Sequence, residues 1–183
     1  MNNEDKIRNA RWKLAEKIVQ TDYEWDNIKI IRLMISKNGN ELNAESIRNF
    51  LNDYEKKEEV ISLLVEINKG YELPDFMIMD CANKLWFVEV KSMKGKVKLS
   101  QIDNGEAIKL LATAGYSCII KNIRIENISE SEIETTLNEY GDIMKGKAKG
   151  EPLYYLRFLE EKIQSLPYEN VKIIDMTISL NKP

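Results

Sequence analysis

Three residues in one stretch of the chain have the types and spacing for hydrolytic chemistry. They are Asp75, which follows Pro74, and Glu89 and Lys91 within "LWFVEVKS", residues 85–92. On an extended strand, residues i and i+2 point to the same side, roughly 7 Å apart. Glu89 and Lys91 therefore share one side, and Val88, Val90 and Ser92 the other. If the segment beginning at Asp75 pairs with that strand as a hairpin, Asp75 comes beside Glu89. Two adjacent carboxylates repel unless a cation lies between them. A divalent ion held by two carboxylates, a backbone carbonyl and waters is an ordinary oxygen site. Such an ion polarises a phosphodiester and helps form hydroxide. A lysine beside it can orient or deprotonate the attacking water, or steady charge on a phosphate.

The tripeptide alone decides little. Glu-x-Lys recurs at Glu4-Lys6, Glu55-Lys57 and Glu160-Lys162, in helical or polar surroundings where solvated charge is the plain explanation. Only the copy at 89–91 sits in a mostly apolar strand, and an edge strand would expose both charges there too. Composition narrows the chemistry further. The chain has 183 residues, a net charge of −3 and no histidine. Without imidazole, Ser-His-Asp and Cys-His catalysis and His-Glu zinc hydrolysis are excluded. Carboxylates, lysines and a hard, oxygen-ligated ion such as Mg²⁺ or Mn²⁺ remain. The two cysteines, Cys81 and Cys118, fit reduced structural thiols in a cytoplasmic protein. No apolar run is long enough to span a membrane, and the polar start "MNNEDKIRNARWK" has no apolar signal region.

The elements that must position these residues follow from periodicity. Residues 3–20 repeat apolar side chains at helical spacing, with Ile7, Ala10 or Trp12, Leu14 and Ile18 on one side. Residues 27–36 read as a strand followed by a turn at Asn38-Gly39-Asn40. Helices are expected at 43–54, with Asn43 as cap, and at 56–68, stopped by Gly70. Residues 75–80 and 85–92 form a hairpin around a turn at 81–84. A helix at 100–114 ends at Gly115, a strand covers 116–125, and a Ser-Glu-rich helix covers 129–140. Residues 144–152 are the linker candidate, 153–166 read as helix, and "NVKIIDMTISL" as a last strand. The order helix, strand, strand, helix, strand is that of a mixed α/β core with a crossover helix.

Pro74-Asp75 … Glu89-Val90-Lys91, a basic loop and then a helix together resemble the PD-(D/E)xK nuclease superfamily. Within it, "PDFMI", "LWFVEVKS", "KLS" and "LLATAGY" look most like the VRR-NUC and archaeal Holliday-junction-resolvase branch. The resemblance covers about residues 58–125. It implies an α/β, restriction-endonuclease-like fold: a mixed β-sheet core flanked by helices, here with an extra helical N-terminal segment. It implies Asp75 and Glu89 as metal ligands, the Val90 carbonyl as a third, and Lys91 as the catalytic lysine. Members often add a glutamate from the preceding helix; Glu59 is preferred here over Glu58 and Glu66. They also carry a glutamine about four residues past a Leu-Ser pair. In this chain Gln101 follows Leu99-Ser100 at once, with Asp103 and Asn104 near the expected place. Resolvase-like relatives pair their subunits, which implies a homodimer.

The segment Lys84–Arg124 carries eight basic residues against three acids. Lys94, Lys96 and Lys98 alternate just beyond Lys91 and would hold backbone phosphates without reading sequence. The N-terminal helix adds further lysines and arginines, for which an ordinary exposed face is expected. Trp12, Trp25, Trp86, Tyr154 and Tyr155 are expected to pack rather than stack on bases. The chain divides into an N-terminal extension, 1–55, packed on the core; a nuclease-like core, 56–143; and a linker with a C-terminal helix and strand, 144–183. The expected function is a Mg²⁺- or Mn²⁺-dependent endonuclease acting on DNA, with RNA remaining open, and possible selectivity for nucleic-acid structure. The alternative is a nucleic-acid-binding or assembly protein that keeps the fold but does not cut. A third reading is a plain soluble α/β domain whose charged strand is an edge.

Overall fold

Short β-branched and aromatic runs separated by turns and helices build one sheet in the computed structural model. The structure describes residues 3–26, 28–33, 43–93, 97–102, 104–126, 129, 131–133, 135–136, 155–165 and 168–181. In chain order the elements are α1 (Asn3–Trp25), β1 (Lys29–Arg32), α2 (Ala44–Phe50), α3 (Lys57–Asn68), β2 (Phe76–Met79), β3 (Leu85–Lys91), α4 (Gly105–Thr113), β4 (Ser117–Glu126), β5 (Tyr155–Ser165) and β6 (Val171–Asn181). The sheet is six-stranded, in the order β1-β2-β3-β4-β6-β5. β3, β4 and β6 run parallel, and β1, β2 and β5 pair antiparallel with their neighbours.

Alternation along the strands divides the core in two. Phe76, Ile78, Val88, Val90, Ile123, Ile125 and Ile178 pack under Leu14, Ala15, Ile18 and Val19 of α1. Met77, Met79, Leu85, Phe87, Cys118, Ile120, Val171 and Ile173 pack against α2, α3 and α4. Full burial of each such Leu, Ile or Phe contributes roughly 2 kcal/mol before entropy is counted. α1 is therefore a packed cover of one sheet face. Lys121 reinforces the packing by standing 4.3 Å over the Tyr23 ring.

Local chemistry sets the β2–β3 hairpin. Asp80 Oδ1 accepts the Ala82 and Lys84 amides, both at 2.9 Å, and its Oδ2 accepts the Trp86 indole N–H at 3.1 Å. Asn83 takes the left-handed conformation, with φ 56°, that this turn needs and that asparagine tolerates. These bonds hold the Asp80 carboxyl below its usual range. The hairpin register follows, from Met79 opposite Leu85 to Phe76 opposite Val88.

α4 ends in a Schellman pattern. The Gly115 amide bonds the Ala112 carbonyl and the Tyr116 amide bonds the Leu111 carbonyl, with Gly115 at φ 90°. That turn feeds β4 directly beside β3. Asn43 caps α2 as expected, accepting the Ser46 amide at 3.1 Å. Glu132 Oε2 accepts both the Ser129 amide and the Ser129 hydroxyl at the start of the helical residues 131–133 and 135–136, within the helix expected at 129–140.

Three expectations need correction. The segment read as a helix over 153–166 is β5, paired along the length of β6. A register shift between Phe158 and Glu160 adds one residue to that strand, which breaks strict alternation and makes its apolar spacing look helical. The helix expected from residue 100 begins at Gly105, preceded by a 3₁₀ turn at Leu99–Gln101. Finally, β3 is not an edge strand, because it lies between β2 and β4. The Asn38-Gly39-Asn40 turn, the 144–152 linker, Tyr154 and the loop residues Lys94 and Lys96 lie outside the described residues. Among the described residues, no helix is long and apolar enough to cross a membrane.

Candidate functional site

The hairpin register delivers the site. Asp75 stands one residue before the Phe76–Val88 pair, so it faces Glu89 across the hairpin. Its Oδ2 accepts the Val90 amide at 2.7 Å. Glu89 is only 3% exposed. Glu89 Oε1 meets Lys91 Nζ at 2.6 Å, and Oε2 accepts a short hydrogen bond from the Asn104 side-chain amide. The same Asn104 amide reaches the Leu73 carbonyl at 3.4 Å.

Electrostatics follow from this crowding. Burial raises the Glu89 carboxyl to about 7, with the Asp75 charge adding to the rise and Lys91 and Asn104 opposing it. Burial likewise raises Asp75, opposed by the Val90 amide, the charges of Lys91 and Arg32, and its hydrogen bond with Glu89. Burial disfavours the charged form of both carboxyls, and the Asp75 charge adds to this at Glu89, which is the environment a cation relieves.

A cavity of about 310 Å³ opens on this group. It is lined by Asp75, Glu89, Lys91, Ser92 and Asn104, by Glu72 and Leu73 ahead of β2, and by Arg8, Asn9 and Trp12 of α1. Asn104 arrives by a local device. It directly precedes Gly105, the first residue of α4, and a Cβ there would collide with the Leu99 carbonyl oxygen. Glycine thus lets the 3₁₀ turn close on the helix start and carry Asn104 to Glu89.

Behind the site, a buried polar row crosses the sheet. Asn122 on β4, with no exposure, accepts the Met93 amide at 2.9 Å and donates to the Met93 carbonyl at 3.4 Å. It also donates to Asp175 Oδ1 on β6 at 2.8 Å, and Gln164 on β5 donates to Asp175 Oδ2. The backbone just past Lys91 is therefore tied to β4.

Asp75, Glu89 and Lys91 are thus brought together, with the Val90 amide bonded to Asp75. Glu59 is not. It is exposed on α3, and its charge is felt by Tyr116, at the opposite end of the parallel strands. Glu58 faces Arg48 at 3.5 Å and Glu66 faces Lys69 at 2.6 Å, both in solvent. Lys98 is exposed and does not line the cavity. The Gln101 side chain lies outside what the structure describes. Asn104, near the place where a glutamine was expected, is the polar side chain that reaches Glu89. Trp12, expected to pack, is 38% exposed at the cavity wall. Cys81 is an exposed free thiol. Cys118 is buried, and burial pushes its thiol up to about 12, as expected of a structural residue.

A hard ion fits these donors better than zinc does. Among the described residues, no group of three or more His, Cys, Asp or Glu side chains gathers. Two carboxylates do converge, and Asn104 Oδ1 is buried with no hydrogen-bond partner, a neutral oxygen of the kind Mg²⁺ or Mn²⁺ accepts. No family model matches the chain, and no curated protein matches it.

Proposed function

We propose that the chain is a Mg²⁺- or Mn²⁺-dependent nuclease of the PD-(D/E)xK type, an endonuclease acting on DNA, with a restriction-endonuclease-like core. The observation that carries this reading is the convergence of a buried carboxylate, a half-buried one and a lysine, Glu89, Asp75 and Lys91, on one open cavity. The antiparallel β2–β3 hairpin and the parallel β3–α4–β4 crossover support it at the level of topology.

Asp75 and Glu89, with the Val90 carbonyl, would hold the ion; when bound it supplies a polarised phosphodiester and an activated water. Lys91 Nζ pairs with Glu89 Oε1. The Lys91 side chain is 20% exposed, and its ammonium can turn to a non-bridging phosphate oxygen or steady the water. Asn104 orients the Glu89 carboxylate from behind. Pairing into a homodimer would set two such sites for two strands, and a cytoplasmic location fits the two free cysteines. A 21.3 kDa particle in light scattering would count against the dimer.

The test is cleavage of supercoiled, single-stranded, flap and four-way-junction DNA with Mg²⁺, Mn²⁺ or EDTA. Metal-dependent cutting is expected, with Lys91→Ala lowering the rate about a hundredfold or more. Equal cutting by Lys91→Ala or by Asp75→Ala would sink the mechanism. A second reading, a protein that binds nucleic acid without cutting, is favoured by the finding that, among the described residues, no group of three or more His, Cys, Asp or Glu gathers at the site. Calorimetric Mn²⁺ binding that depends on Asp75 and Glu89 separates the two, since a binding-only protein need not hold the ion.

A further inference from the structure

α1 does more than cover a sheet face. Its buried residues begin at Leu14 and Ala15, both with no exposure, yet Trp12 two positions earlier is 38% exposed. That indole is not stranded on open surface. It lines the cavity of Asp75, Glu89 and Lys91, and also a second cavity of about 250 Å³ that shares Glu72, Leu73 and Asp75 with the first. Trp12 is thus a wall common to both. One helical turn earlier, Arg8 lines the first cavity. It is held by Asp5 at 3.0 Å and its side chain is 77% exposed.

An exposed indole and a guanidinium lining a phosphodiester site suit a nucleotide whose base is out of the stack. A base inside a duplex is covered on both faces and offers only its edges. An unpaired base offers a π face to an indole, whatever its sequence. The cavity volume is at the small end of ligand pockets and suits one nucleotide, not a paired duplex.

We propose that Trp12 is a stacking platform for an unpaired nucleobase and that Arg8 holds a neighbouring phosphate. The site then takes single-stranded or frayed nucleic acid in preference to a closed duplex. The inference rests on the cavity being a phosphodiester site and adds the form of the substrate.

Binding of the full chain in EDTA tests this without cleavage. The probes are a short fluorescent single-stranded DNA, the RNA of the same sequence and the blunt DNA duplex. Single strands are expected to bind at least about tenfold tighter than the duplex, and Trp12→Ala to lose about tenfold of that affinity. Trp12→Phe should keep most of the affinity. The native chain's tryptophan emission should fall on binding, and that quench should vanish in Trp12→Phe. Arg8→Glu should weaken binding even if Trp12→Ala fails to fold. Tight binding of DNA, of RNA or of both, with this dependence on Trp12, supports the platform and names the source of the base. Unchanged affinity in Trp12→Ala, preference for the duplex, or no single-strand binding overturns it. Metal-dependent cleavage, read separately, divides the two ideas. Cutting that persists with Trp12-independent binding removes only the platform. Trp12-dependent binding with no cutting in any metal removes only the nuclease.

Discussion

The two ends of the parallel strands β3, β4 and β6 face the same side of one sheet but hold opposite chemistry. Toward their starts, Phe87, Cys118, Ile120, Val171 and Ile173 form a dry core under α3 and α4. Toward their ends the same alternation brings Glu89, Asn122 and Asp175, all buried to within a few per cent. The difference teaches where this fold accepts a cost. The dry end is stabilised by area alone, whereas every polar group at the other end needs a partner, because an unpaired buried one costs a few kcal/mol. The partners form a chain from Asp75 and the Val90 amide, through Glu89, Lys91 and Asn104, and separately from Met93 through Asn122 and Asp175 to Gln164. Only the end that opens on a cavity carries two carboxylates left raised, so that end has a reason to be polar.

Changes at the dry end should cost stability and leave the site alone. Leu111→Ala is expected to lower unfolding free energy by about 2–5 kcal/mol, with Mn²⁺ affinity at the native baseline unchanged. Urea unfolding and calorimetry read the two separately, and a matching loss of ion binding would break the division.

The polar end should respond to pH in the opposite sense to an ordinary salt-bridged acid. Glu89 in the folded chain titrates at about 7, above its usual 4.5. The folded chain therefore binds the proton that the unfolded chain has released. Its contribution is intact below pH 4.5, is lost as pH rises to 7, and stays lost above that. Without metal, the loss should reach roughly 3 kcal/mol between pH 4.5 and pH 8. The difference between native and Glu89→Gln stability curves isolates it. A difference that is flat with pH would show that the carboxyl is already ionised at pH 5.

Asn122→Ala leaves a buried carboxylate and a backbone amide short of partners, and should cost about 1–3 kcal/mol. It should also loosen the chain just beyond Lys91, seen as faster amide exchange at Met93. Unchanged exchange there would mean that Asn122 serves β6 only. The smallest effect is expected from Glu59→Gln, which should stay within about 0.5 kcal/mol in stability and leave cleavage unaltered. A large fall in cleavage would move α3 into the site and blur the contrast between the two ends.

Much of this is legible in the sequence. Asp75 opposite Glu89 follows from two short apolar runs, a turn whose Asp80 and Asn83 favour it, and period-two alternation. All of these are local, and local bonds set hairpin register. The stop at Gly115 and the cap at Asn43 are equally local. β5 reads as a helix because its register shift imitates helical spacing, and a strand of that kind is recognised only from its partner. What Asn104 and Trp12 meet in the fold was not legible. Trp12 sits on a helix, and Asn104 just before one, whose sequence gives no sign of what lies opposite, and the preference for Glu59 over Glu58 and Glu66 had no more than that to go on. The sequence by itself determined the acid-acid-lysine hairpin and the exclusion of imidazole chemistry. Only the tertiary structure decided that α1 and the start of α4 close over that hairpin, and that Asn122 and Asp175, 53 positions apart, meet behind it. Such contacts depend on strand order and helix docking, which long-range packing selects and no local pattern encodes.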